Sequence, residues 1–492
     1  MNADALAAAR IARTAWLAVL GVALAVRLAF VLFAPATGGD WDIYERVAAN
    51  ILRGCGVSLS DPAGAACVPH FGGNQLPGYP GFVALIFALT GHSEVALRIA
   101  QALLATAAIA YVMHAVRRYA DDGRAALAAG LFLGLSPLAV AWPRFLVTEA
   151  LAVATTTWVL AELILSLAEQ RLRLLPLALA LVAALFVRLD AALLAVPVAL
   201  AGFLVHRPAA AVRRGAILAL LVAVPLAAWT VRNIAVGLPS LWPTSMTMPD
   251  NSRPPVGYIE WGRSWMSDEY QKPGWGYTVN RLAYDRIAID GRAYDSPEER
   301  ARVEALLAEL RRHTGQAFPK EIDDAFAAIA AERNARHPLR AWLGLPLRRA
   351  WSMWANPFSS YGWPTELSSA TSDEARLALA RGGLGGALAV ALDNPWTALG
   401  KAVTASCKFA LLLLFLVAVA LAVTRRLGLA RRIVWIAGSY VLARTAVYAW
   451  SAGLESRYMI EAVPFIEVAV AVAAAALWRA RLARRAAVSG SA

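Results

Sequence analysis

Four short segments bring together residue types that can do chemistry. Gly38-Gly39-Asp40-Trp41-Asp42-Ile43-Tyr44 sets two carboxylates at i and i+2 directly after an apolar run. Poor solvation beside such a run makes a carboxylate a stronger base, suited to taking a proton from a hydroxyl. The alternative is a solvated acidic cap on a helix beginning at residue 43. Glu149 follows Arg144 by five residues, Arg188 and Asp190 share one turn, and Glu455 precedes Arg457 in another. Arginine keeps its charge when desolvated and grips phosphate through paired donors, so these arginines suit an anionic lipid headgroup. Taken singly, each could instead snorkel to a membrane interface. The sequence has no zinc-type Cys/His spacing, Walker loop, dinucleotide fingerprint or nucleophile elbow. Soluble-enzyme chemistries therefore have no support.

What positions these segments is a series of apolar runs. The 492-residue chain is 59% hydrophobic and 16% charged, against roughly a quarter charged in soluble proteins. Runs at 14–34, 95–116, 124–142, 148–168, 215–236, 402–424 and 460–478 each approach the ~20 residues that cross a bilayer as helix. With two short spans around the Arg188-Leu189-Asp190 turn and one at 433–450, the expectation is an all-α polytopic membrane protein with about ten transmembrane helices. Gly130 and Gly134 form a small-residue helix-packing motif. The spans hold no internal ionic pair, Glu162 apart.

The formal charge of +13 reports topology, not nucleic-acid binding. Arginines gather in short loops, as at Arg117, Arg118 and Arg124 or Arg425, Arg426, Arg431 and Arg432, which marks those loops as cytoplasmic. Threading the chain on that rule leaves both termini cytoplasmic, in a bacterial inner membrane. It places 35–92, the 143–149 and 188–190 turns and 237–395 on the periplasmic side. The first run is too long for a signal peptide and reads as a retained helix. Cys55 and Cys67 share the first outer loop, where an oxidising compartment permits a disulfide.

Three regions follow: an N-terminal membrane half (1–236) containing the 35–92 loop, an outer region (237–395), and a C-terminal part (396–492) with a basic tail. In the outer region Ser296-Pro297-Glu298-Glu299 is a capping box. Val303, Leu306, Leu307 and Leu310 follow at helical spacing, and Ile322, Phe326 and Ile329 mark a second amphipathic helix ending before Pro338. Trp342, Trp351 and Trp354 beside Arg348 and Arg349 suggest a segment at the membrane interface. Tyr258, Trp261, Trp265, Trp275 and Tyr277 are candidates to stack on sugars or to anchor at that interface.

The order Asp40-x-x-x-Tyr44, Leu76-Pro77-Gly78-Tyr79-Pro80, Arg144-x-x-x-Thr148-Glu149 resembles the GT-C glycosyltransferases. The closest branch is the bacterial one related to protein mannosyltransferases and aminoarabinose transferases. Arg188-Leu189-Asp190 is similar to that branch's Arg-Pro-Glu turn, and Trp229-Thr230-Val231-Arg232-Asn233 and Ser456-Arg457-Tyr458 also fit. The resemblance covers 14–240 and, loosely, 400–478. It implies a GT-C-like fold with a helical periplasmic lobe. The implied activity is inverting transfer of a sugar from a polyprenyl-phosphate donor to an envelope glycan, lipid or protein acceptor. It makes Asp40 the catalytic base. Many members carry Asp-Glu where this chain has Asp40-Trp41, so the second carboxylate stays open between Asp42 and Glu149. Tyr44, Tyr79, Arg144, Arg188, Arg457 and Tyr458 are the expected substrate-binding residues. His70 and Gln75 fall where relatives place donor or metal contacts, although His70 reads equally as a solvated loop histidine. No organic cofactor is implied, and a divalent cation stays open. The competing class is a multi-span transporter or flippase for a lipid-linked or anionic substrate, which would carry midplane charges and paired repeats.

Overall fold

The computed structural model describes residues 3–34, 41–69, 76–237, 252–268, 279, 282–287, 289–355, 382–386, 388–393 and 395–489. Two units emerge: one of Met1–Leu241, Pro357–Ala443 and Ile460–Ala492, the other of Trp242–Asn356 and Arg444–Met459.

Among the described residues, seven helices are long and apolar enough to cross a membrane: Arg13–Phe33, Glu94–Ala120, Thr148–Ala168, Pro208–Ala235, Ala398–Val423, Ala430–Ser451 and Ser456–Ala486. Shorter apolar helices at Gly123–Leu135, Leu174–Val187 and Leu189–Val205 stand where the third, fifth and sixth spans were expected. The chain is a multi-pass membrane protein.

The first unit opens with α1 (Ala3–Phe33), α2 (Trp41–Leu52), α3 (Gly78–Thr90), α4 (Glu94–Ala120), α5 (Gly123–Leu135), α6 (Thr148–Ala168), α7 (Leu174–Val187), α8 (Ala195–Val205) and α9 (Pro208–Ala235). α4 packs on α6, α6 on α7, and α1 on both α4 and α5. The small-residue motif explains the α5 contacts. A Cβ on Gly130 would come within 2.5 Å of the Met113 sulfur, and one on Gly134 within 3.0 Å of Ala23 Cβ.

α5 is shorter than the 124–142 run predicts. Pro137 forces Ser136 out of helical geometry, to φ −54°, ψ 112°. Thirteen residues of helix span only about 20 Å, short of the ~30 Å hydrocarbon core. Irregular backbone at that depth is tolerated only inside protein, and 138–148 obliges: Val140, Ala141, Trp142, Arg144, Leu146 and Val147 are all buried. Charge also enters the spans further than expected. Arg27 and Glu467 are buried, and Arg27 donates to the Ala23, Leu133 and Gly134 carbonyls, tying α1 to the end of α5. Glu162 meets Arg173 at 3.5 Å.

The second unit is a helical lobe containing α10 (Val256–Arg263), α11 (Pro297–Arg311), α12 (Lys320–Arg336) and α13 (Leu345–Ala355). Ser296 caps α11 by accepting the Glu299 N–H at 3.2 Å. Val303, Leu307 and Leu310 of α11 and Ile322, Phe326 and Ile329 of α12 form the core with Tyr258, Trp261 and Trp265 of α10 and the residues after it. Those three aromatics are at most 5% exposed, so they neither stack on a sugar nor anchor at an interface. Trp275 and Tyr277 lie outside the described residues. Trp342 and Trp351 are exposed, while Trp354 bonds Thr445 at 2.9 Å.

A charge cluster locks the lobe. Arg333 is buried and donates to the Ala293 carbonyl, Glu299 and Asp295. The hydrogen bond from Arg340, then the nearby Arg333 charge, hold the Asp295 carboxyl below its ordinary value despite partial burial. Burial pushes Arg333 down and Arg349 down to about 10. Arg349 donates to the backbone carbonyls of Met266, Ala449 and Arg263.

Candidate active site

The site in the first unit grows from the ends of α2, α3, α4, α6 and α7. Tyr44 is buried on α2 and meets the Tyr79 ring edge-on, 5.0 Å between centroids. Tyr79 donates to Gln101 Oε1 at 3.0 Å, and the same amide donates to the carbonyls of Pro143 and Phe145 at 2.9 and 3.0 Å. Gln101 thus holds the backbone on either side of Arg144. Arg144 is wholly buried, its guanidinium 4.1 Å from the Phe145 ring centre.

Thr148 and Glu149, both buried, open α6. Arg188 stands in extended conformation at the end of α7 and reaches them, its Nη1 lying 3.2 Å from Thr148 Oγ1 and 3.5 Å from Glu149 Oε1. Its Nε and Nη2 each donate to Asp190 at 3.2 Å, and Nε also meets Glu461 at 3.0 Å. Gly78 fits this corner because a Cβ there would sit 2.5 Å from the Phe186 carbonyl oxygen. Glycine alone lets α3 approach the backbone two residues before Arg188.

Asp42 is exposed in the first turn of α2, placed as a helix N-terminal acid favoured by the dipole. Asp40, His70 and Gln75 lie outside the described residues. Cys55 and Cys67 form a disulfide with Cα atoms 5.4 Å apart. The loop it closes is further held by Asn50 and Arg53, which donate to the carbonyls of Ser58, Ser60, Gly64 and Ala66. Arg232 of α9 adds a bond to the Val57 carbonyl at 3.2 Å.

Arg457 and Tyr458 belong to the second unit. There Glu455 accepts from both, Tyr458 stacks on Tyr448 at 4.9 Å, and buried Arg444 donates to the Tyr458 carbonyl. Among the described residues no group of three His, Cys, Asp or Glu side chains is arranged to hold a metal ion.

Gln101 and Glu461 escaped the sequence reading. Gln101 looks like any polar residue on an amphipathic helix. Glu461 did carry a signal, being a carboxylate just inside the apolar run 460–478, where ionisable groups are costly.

Residues 74–231 match the family model described as dolichyl-phosphate-mannose-protein mannosyltransferase. That stretch contains Tyr79, Gln101, Arg144, Thr148, Glu149 and Arg188. No curated protein matches the chain. Among solved structures it is similar to the crystal structure of ArnT from Cupriavidus metallidurans bound to undecaprenyl phosphate, at 18% identity and a TM-score of 0.38, covering 92% of this chain and 77% of that one. The apo structure of that protein gives 16% identity, a TM-score of 0.38, and coverage of 93% and 78%.

Proposed function

We propose that the chain is a GT-C glycosyltransferase, a reading supported by the mannosyltransferase family match over 74–231, and that it moves a sugar from a polyprenyl-phosphate donor to an acceptor hydroxyl at the periplasmic face of the inner membrane. One observation carries the reading. Buried Arg144, Thr148 and Glu149, together with half-buried Arg188, all lie inside the matched stretch, at helix ends where a lipid headgroup would sit.

The chemistry required is a single displacement with inversion. The acceptor oxygen bonds to the anomeric carbon while its proton passes to a base, the role the resemblance assigns to Asp40. The carbon–oxygen bond to phosphate breaks, and its electron pair leaves with the polyprenyl phosphate. Negative charge grows on that phosphate as the bond stretches, so a preorganised cation in a dry setting lowers the barrier most. Arg144 fits that task, being buried, permanently charged and held between two backbone bonds from Gln101. The arginine-rich loops support a topology with both termini in the cytoplasm and these ends of α2, α3, α6 and α7 on the opposite side. The acceptor is an envelope glycan, lipid or protein.

The test is incubation of purified protein in detergent with a panel of polyprenyl-phosphate sugars and envelope acceptors. Release of polyprenyl phosphate together with a glycosylated acceptor is the expected result. Movement of intact lipid-linked sugar across reconstituted vesicles, without release, would assign the chain to transport.

A further inference from the structure

Glu461 is 1% exposed, and its carboxylate joins Asp190 at the Nε edge of Arg188. A guanidinium offers five N–H donors in one plane. In Arg188, Nη1 faces Thr148 and Glu149, Nη2 faces Asp190, and Nε faces Asp190 and Glu461, all between 3.0 and 3.5 Å. Three carboxylates therefore share one cation. They come from α6, from the turn after α7 and from the start of the last membrane helix. Like charges at this spacing in a poorly solvated site repel one another strongly, so the guanidinium between them sets where all three stand. An arginine engaged on every nitrogen is a poor clamp for an incoming phosphate, which would first have to displace a carboxylate.

We infer that Glu461 is a positioning residue for the transfer: it draws the Nε edge of Arg188 toward the last membrane helix, fixing Thr148 and Glu149 at the other edge and keeping Arg188 from the donor phosphate. The inference rests on the glycosyl-transfer reading and assigns Arg188 a different part from the phosphate contact that the resemblance implies.

Undecaprenyl phosphate is the binding probe, titrated onto full-length protein in detergent, with turnover measured on a lipid-linked sugar. Glu461→Gln removes the charge and keeps the shape. Turnover should fall on the order of 10²-fold, the cost of misplacing reacting groups by about 1 Å. Undecaprenyl phosphate should bind about tenfold tighter, because one of the three carboxylates that compete with a phosphate for Arg188 loses its charge. A merely structural residue would weaken both. Glu461→Asp should recover part of the turnover. Equal or weaker undecaprenyl phosphate binding by a well-folded Glu461→Gln protein overturns the inference. A thermal-unfolding cycle of Glu461→Gln and Arg188→Gln, singly and combined, decides independently of any activity. Clear non-additivity is expected, and additive effects mean that Glu461 does not act through Arg188. If the wild-type protein transfers no sugar yet the cycle is non-additive, the glycosyl-transfer reading fails and the pairing of Glu461 with Arg188 stands.

Discussion

Replacing Gly78 by alanine adds one methyl group at the point where α3 meets the end of α7. An ideal Cβ there would lie 2.5 Å from the Phe186 oxygen, 2.6 Å from its carbonyl carbon and 2.9 Å from the Val187 nitrogen. Carbon contacts relax at about 3.5–4.0 Å, so the two segments must separate by roughly 1 Å. The atoms met are backbone, and no side-chain rotation relieves them. Arg188 follows Val187 directly, and its bonds at 3.0–3.5 Å cannot all survive such a shift. Overpacking of this kind destabilises by about 1–3 kcal/mol, and a 1 Å displacement of a site group costs on the order of 10²-fold in rate. Steady-state transfer from a lipid-linked sugar, with thermal unfolding monitored by monodisperse elution, measures both. Gly81→Ala is the control, since its Cβ would meet nothing within 4 Å on the same helix. Normal turnover in Gly78→Ala, or equal damage in Gly81→Ala, would refute the reasoning.

Asp40→Asn should lower turnover by about 10²-fold or more while leaving undecaprenyl phosphate binding intact, whereas Arg144→Ala should weaken that binding as well; titration and rate on the same preparations separate the two. Reducing Cys55–Cys67, or replacing both by alanine, should raise the rate of proteolytic cutting in the first loop, since the chain-entropy model gives the link roughly 3 kcal/mol; an unchanged cutting rate shows that the Asn50 and Arg53 bonds suffice. Arg333→Met leaves Glu299 and Asp295 short of their buried cation and should destabilise the lobe by about 3–5 kcal/mol, read by thermal unfolding. The Asp295 carboxyl is held below its ordinary 3.8, so its contribution is complete above that pH and lost as pH falls through the lower folded value; unfolding temperature should drop only in that acid range. In cells with Cys407 replaced, Arg426→Cys should resist impermeant thiol reagents and Arg312→Cys should react; the opposite pattern would invert the topology.

Much of the membrane architecture was legible because a bilayer imposes a length and an apolar composition on every span. Hydropathy fails where a backbone rule cuts across it. Residues 124–142 read as one run, yet Pro137 ends the helix at Leu135 and the remainder becomes the buried turn that carries Arg144. In the lobe, the Ser296 capping box was readable because its bonds are local. Burial of Tyr258, Trp261 and Trp265 was not, since an aromatic has the same letter in a core as on a surface. The site divides in the same way. Arg144, Glu149, Arg188 and Asp190 were found from charges at span ends, and Arg188 with Glu149 and Asp190 forms one cluster. The third carboxylate at Arg188, Glu461, is a partner distant in sequence that no spacing rule reaches.

The three-way grip on Arg188 also bears on biosynthesis. Arg188 and its partners Glu149 and Asp190 are made early, while Glu461 is made only after the helical lobe and two further spans. Until the last helix arrives, the nascent bundle holds an arginine whose surroundings are incomplete. A chain cut short before residue 461 would therefore carry most of its helices yet leave Arg188 without one of its three carboxylates.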